Sequence, residues 1–198
     1  MKPAVLAPFL ALSRRLEGVT RFAYLDVRGL VTVGIGCLID PVGLALPLPW
    51  LDALGQPATE SAIRSAWTEV KAHVELEPRG GEAFESLTTL RLSDAAVDSL
   101  ALARVASFET ELRTRFPWDS LPADAQFALM LMVWALGSLR AFPRLSAAVL
   151  ARDWATCAVE CEIDDARNPG VRPRNAAVRQ LFAACLDPGD PEFVHGWP

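Results

Sequence analysis

The chain has 198 residues, 52% of them hydrophobic and 22% charged, which fits one folded domain, or a domain with a small lobe, and excludes a disordered chain. Its 19 basic and 24 acidic side chains leave a formal charge of −5, so there is no electrostatic footprint for nucleic acid and no general attraction to an anionic polymer. Cys37, Cys157, Cys161 and Cys185 are too few and too irregularly spaced for a disulfide framework; Cys157 and Cys161, one helical turn apart, lack the further ligands of a metal site and read as buried thiols.

The opening "AVLAPFLAL" carries Pro8 and is followed, not preceded, by Arg14 and Arg15, so no signal peptide is expected. The longest apolar run, Phe127 to Leu136, is about half of a bilayer span. These features predict a protein synthesised in the cytoplasm without membrane insertion.

In chain order, Phe9, Leu12 and Leu16 predict a helix over Pro8 to Leu16, with Gly18 as its left-handed terminator. Glu17 then sits at the unfavourable end of the helix dipole, where a lysine would serve stability better. "RFAYLD" and "LVTVGIG" read as strands joined by the three-residue loop Val27, Arg28 and Gly29. That loop sets Asp26 opposite Leu30 and Tyr24 opposite Thr32, and brings Asp26 and Thr32 to one face of the sheet, about 7 Å apart.

The stretch from Asp40 to Ala58 is rich in proline and glycine and reads as a connection or lid anchored by Trp50. Thr59 can cap a helix over Glu60 to Val74, after which "EPRGGEAF" breaks the chain. Ser93 can cap a long amphipathic helix reaching about Arg115. "SLPADAQFALMLMVWALG" has a cap and a first-turn proline, is apolar all round, and stops at Gly137, as the central helix of a bundle does. Helices over Pro143 to Ala151, Asp153 to Ile163 and Pro173 to Leu186 follow, the last after the turn "RNPGVRP"; the tail over 187–198 is expected to be mobile or laid on the surface.

The expected class is α+β, mainly α: one domain over 1–198, with a small N-terminal β-hairpin lobe over about 17–60, a helical lobe over about 60–186, and a ligand cleft between them. Glycosidic cleavage needs one carboxylic acid to protonate the leaving oxygen and one carboxylate on the opposite side. Glu17 and Asp26 can form that pair, with the Thr32 hydroxyl holding water. By chance alone, however, a chain with 24 acidic residues also offers a Glu and an Asp nine positions apart.

The pattern "EG…AY.D..G..TVGIG" resembles the active-site signature of the bacteriophage-type (T-even phage lysozyme-like) muramidases. "WDSLPADAQFALMLMVWALG", "AFPRLSAAVLARDWATCAVE" and "NPGVRPRNAAVRQLF" resemble that family's central helix, following helical hairpin and last helix, so the likeness covers most of the chain outside about 41–90. It implies a lysozyme-like fold. It also implies an inverting peptidoglycan hydrolase that cuts between N-acetylmuramic acid and N-acetylglucosamine without a cofactor or metal. The implied catalytic residues are Glu17 as acid, Asp26 as base and Thr32 as the water-holding hydroxyl. Leu38, Trp134 and Glu160 fall where the family contacts sugar, although Trp134 reads nearly as well as core. Arg174 matches an arginine that pairs with the catalytic glutamate, with Arg172 competing for that role, and Tyr24 supports the site. Cys37 departs from the pattern, because the family has histidine there.

The sequence leaves two other readings open: a catalytically inactive lysozyme-fold module that binds glycan or protein, and a lytic transglycosylase. As a bacteriolytic enzyme the chain is either a phage endolysin or a secreted antibacterial effector acting in the periplasm or cell wall of a target bacterium. An effector would have an immunity or inhibitor protein and secretion-system components as partners.

Overall fold

The computed structural model describes residues 1–166, 169–187 and 189–197, and is mainly helical with one small antiparallel sheet. Two of the sequence expectations reach past this range: Arg167 and Asn168 of the turn over 167–173, and Pro188 and Pro198 of the tail, lie outside the described residues. The chain forms two compact units, one of Glu17–Arg104 and one of Met1–Leu16 with Val105–Pro198.

The first unit is built on a sheet of order β1-β2-β3, made of Thr20–Leu25, Val31–Gly34 and Cys37–Leu38. Tyr24 pairs with Thr32 as the alternation predicts, and the Asp26 amide donates to the Leu30 carbonyl at 3.0 Å to close the three-residue loop. Strand β3 was not foreseen. It exists because Gly34 and Gly36, at φ +70° and +69°, reverse the chain within "GIG" and return Cys37 to Val33.

Helix α2 (Glu60–Ala72) begins where Thr59 Oγ1 accepts the Ala62 amide at 3.2 Å. In place of a simple break, "EPRGGEAF" forms parts of two 3-10 helices, Val74–Arg79 and Gly81–Leu87. The proline-rich segment is anchored through Trp50, as expected, and packs as a connection rather than a lid. Ala45 and Trp50 are buried, the Trp50 indole donates to the Ala45 carbonyl at 2.9 Å, and Leu51 pairs with Arg91 through two backbone hydrogen bonds. With Phe84, Ile63 and Val70 also buried, the segment after Asp40 helps to fill this unit's core, and α2 belongs with the sheet.

The second unit holds α1 and the later helices. Helix α1 spans Pro3–Glu17, so Pro8 is accommodated inside it and it starts earlier than the apolar spacing suggests; its last residue belongs to the first unit. Helix α3 (Asp94–Arg115) runs from one unit into the other and begins beside Ser93, whose Oγ accepts the Ala96 amide at 3.1 Å.

Helix α4 (Ala123–Leu136) is buried on every side and stops at Gly137, φ +76°, as its composition predicts. The expected serine cap is absent: Pro122 is the N-cap residue and makes no side-chain bond, while Ser120 donates to Pro117. Instead, the buried Asp124 carboxylate accepts the amides of His195 and Gly196 at 2.8–3.1 Å, and Trp197 stacks on Phe127 at 5.5 Å. The described part of the tail is therefore laid on the helical core and anchored there.

Helices α5 (Pro143–Ala151), α6 (Trp154–Glu160) and α7 (Arg172–Ala184) complete the unit. Asp153 caps α6, which ends three residues earlier than expected. No helix among the described residues is long and apolar enough to cross a membrane.

Candidate functional site

Within the first unit, the sheet sets Tyr24, Thr32 and Leu38 in one row across three strands, because Thr32 is the direct partner of both neighbours. Leu38 is 44% exposed, whereas Thr32 is 3% exposed. The Thr32 hydroxyl donates to the Leu30 carbonyl at 3.1 Å. Its proton is thereby engaged, and its oxygen faces any further partner as an acceptor.

Asp26 ends the same edge. Its Oδ1 accepts the amides of Arg28 and Leu30, both at 2.9 Å, the self-bonded arrangement that favours aspartate in tight loops. Leu30 thus ties the two polar side chains together, donating to Asp26 through its N–H and accepting from Thr32 through its carbonyl.

Glu17 reaches this unit from the end of α1, where Gly18 at φ +71° turns the chain toward β1. Its carboxylate lies beside Gly36, with Oε2 3.4 Å from where a Cβ would stand. Tyr24 is the common neighbour of the two acids. Burial pushes its hydroxyl above the ordinary phenol range, the negative fields of Glu17 and Asp26 add to that, and Arg104 works against them. The phenol therefore remains a neutral donor at any physiological pH. Its ring packs under Gly81, where a Cβ would come within 3.1 Å of it.

Arg104 is a site residue that sequence reasoning missed. Its guanidinium donates to the Gly36 carbonyl and hydrogen-bonds the buried Cys37 thiol. Burial raises the Cys37 pKa despite that cation, so the sulfur stays a thiol. The available signal was positional: Arg104 lies seven residues after Val97, placing a charge on the apolar stripe of α3.

The remaining expected contacts lie in the second unit. Trp134 is 2% exposed and meets Phe9 and Phe108 edge-on, with centroids 5.3 and 6.2 Å away, which fits its core reading and leaves no open face for a sugar. Glu160 closes α6 and pairs with Arg144 at 3.5 Å. Of the two competing arginines, Arg172 is the exposed one and pairs with Asp165, whereas Arg174 is 6% exposed; a solvated helix start therefore describes Arg172 and not Arg174.

Among the described residues no group of three or more His, Cys, Asp or Glu side chains could hold a metal ion. The first unit instead brings together two carboxyl groups, a neutral phenol and an acceptor-directed hydroxyl, which are groups suited to moving protons and holding water. No protein-family model matches the chain, and no curated protein matches it.

Proposed function

We propose that the chain is a lysozyme-like muramidase, hydrolysing the β-1,4 bond between N-acetylmuramic acid and N-acetylglucosamine by a single, inverting displacement. The observation that carries this reading is the joint anchoring of Asp26 and Thr32 on Leu30. Two loop amides occupy Oδ1 of Asp26, leaving Oδ2 as the base. A water that donates one proton to Oδ2 and the other to Thr32 Oγ1 has its lone pair directed away from both, toward an anomeric carbon. Asp26 removes the proton as that water attacks. Glu17 protonates the departing oxygen, and Tyr24 donates a hydrogen bond beside them.

The lysozyme-like fold and the peptidoglycan substrate rest on the resemblance of "EG…AY.D..G..TVGIG" and of the later helices, together with this geometry. Leu38, exposed on the row that holds Thr32, supplies an apolar contact for a sugar. The same reading makes the protein bacteriolytic, acting on the wall of a target bacterium as an endolysin or a secreted effector.

The test is mass spectrometry of the soluble products from purified peptidoglycan, with the wild-type protein and with Glu17→Gln. Reducing N-acetylmuramic acid ends released only by the wild type support the proposal, and NMR of the nascent anomer checks inversion. Anhydro ends would make the protein a transglycosylase. Binding to sacculi without release would make it a glycan-binding module.

A further inference from the structure

Helix α2 grips the hairpin at two points. The Trp67 indole donates to the Ile39 carbonyl at 2.9 Å, and one turn later Lys71 Nζ donates to Asp40 Oδ2 at 2.6 Å and to the Gly29 carbonyl at 2.7 Å. Lys71 also lies 5.9 Å over the Trp67 ring. Asp40 Oδ2 in turn accepts the Val31 amide at 3.2 Å. Burial alone would raise the Asp40 pKa, but the bonds from Lys71 and Val31 outweigh it and hold the group ionised.

These bonds meet on the three residues that position the site. Gly29 is held through its carbonyl by Lys71, and its amide donates to the Asp26 carbonyl at 2.8 Å. Leu30 binds both the Asp26 carboxylate and the Thr32 hydroxyl, while Val31 is held by Asp40. A long, flexible lysine used twice on backbone and carboxylate has given up most of its rotamer freedom. Elsewhere on α2 the cation Arg64 pairs with Glu60, one turn away on an exposed face, as an ordinary surface pair does.

We infer that Lys71 is a positioning residue, whose clamp on Gly29 and Asp40 fixes the loop that aims Asp26 at its water. The inference rests on the acid/base reading of Asp26. Lys71 touches no reacting atom, and its effect passes through the loop backbone. Misplacing a reacting group by about 1 Å can cost on the order of 100-fold in rate, so the loop's rigidity bears directly on turnover.

The experiment compares the wild type with Lys71→Met, Lys71→Arg and Asp40→Asn, measuring kcat and KM on peptidoglycan and hydrogen exchange at the Leu30 amide. Lys71→Met is expected to lower kcat by roughly 10- to 100-fold with KM little changed, and to speed Leu30 exchange. Asp40→Asn should move both in the same direction, and Lys71→Arg, which keeps the cation and its donors, should recover most of the loss. A Lys71→Met protein that melts earlier but keeps its kcat and its Leu30 protection would overturn the inference. Should the wild type release no products, the activity reading fails by itself; faster Leu30 exchange in Lys71→Met would then still uphold the clamp, and unchanged exchange would overturn it.

Discussion

The Glu17 carboxylate rests against Gly36, its Oε2 3.4 Å from where a side chain would begin. Gly36 has φ +69°, a conformation that L side chains rarely adopt, so the turn calls for glycine, and a methyl there would stand in van der Waals contact with the acid. Gly36→Ala should cost about 1–2 kcal/mol from backbone strain. Because the added methyl contacts the acid, turnover on peptidoglycan should fall further than the lost stability explains. Equal activity per folded molecule, with the folded fraction taken from urea denaturation, would count against Glu17 acting at this spot.

Thr32 offers a sharper test of the water-holding step. Thr32→Val keeps the shape and removes the oxygen, which is expected to lower kcat by on the order of 100-fold, whereas Thr32→Ser should retain most of it. The lost bond to Leu30 should cost only about 1 kcal/mol in a thermal melt. A Val variant as fast as the Ser variant would remove Thr32 from the mechanism.

Trp50 distinguishes a lid from a core element. With its ring buried and its indole bonded to Ala45, Trp50→Ala should destabilise the protein by about 3–5 kcal/mol. A lid residue would give the opposite pattern, near-wild-type stability with altered KM. The same pair of measurements on a deletion of residues 44–56 should show loss of folding.

At the other end of the chain, Asp124 is buried and accepts the His195 and Gly196 amides. Asp124→Ala leaves those donors unsatisfied, and a loss of about 2–3 kcal/mol in chemical denaturation is expected. Trp197→Ala, which removes the stack on Phe127, should shift stability in the same direction. No change in either variant would mean that the tail adds nothing to the helical unit.

The thiols predict an alkaline limit. Burial pushes Cys157 and Cys185 up to about 12 and Cys161 to about 11, from 9.0. Their folded pKa values are raised, so the stability they contribute is whole below about pH 9 and is lost as pH climbs toward 12. The urea midpoint, measured under reducing conditions, should fall steadily above pH 9. A Cys157→Ala, Cys185→Ala double variant should show a flatter decline, and an identical decline would assign the effect to other groups.

Much of this was legible in local sequence. Gly18 and Gly137 end their helices, and Thr59 and Ser93 sit where helices begin, because capping and positive φ depend on a few adjacent residues. The pairing of Tyr24 with Thr32 followed from a three-residue loop and a two-residue alternation. The local signals ran out where partners lie far apart in the chain. Strand β3 depends on a glycine-made reversal that reads equally well as a flexible turn, and the Pro-rich segment reads as a connection or a lid until Trp50 and Leu51 find their neighbours. Arg104 carried only a faint signal, a charge on an otherwise apolar helix face, and Lys71, which shares its face with Glu60, Arg64 and Thr68, carried none. What the sequence by itself determined was the main helices, the β1-β2 hairpin and the residue types able to move a proton. Only the tertiary structure decided that Glu17 meets Gly36, that Leu30 ties Asp26 to Thr32, and that Lys71 holds their loop, since burial and long-range hydrogen bonds exist only once the chain has closed on itself.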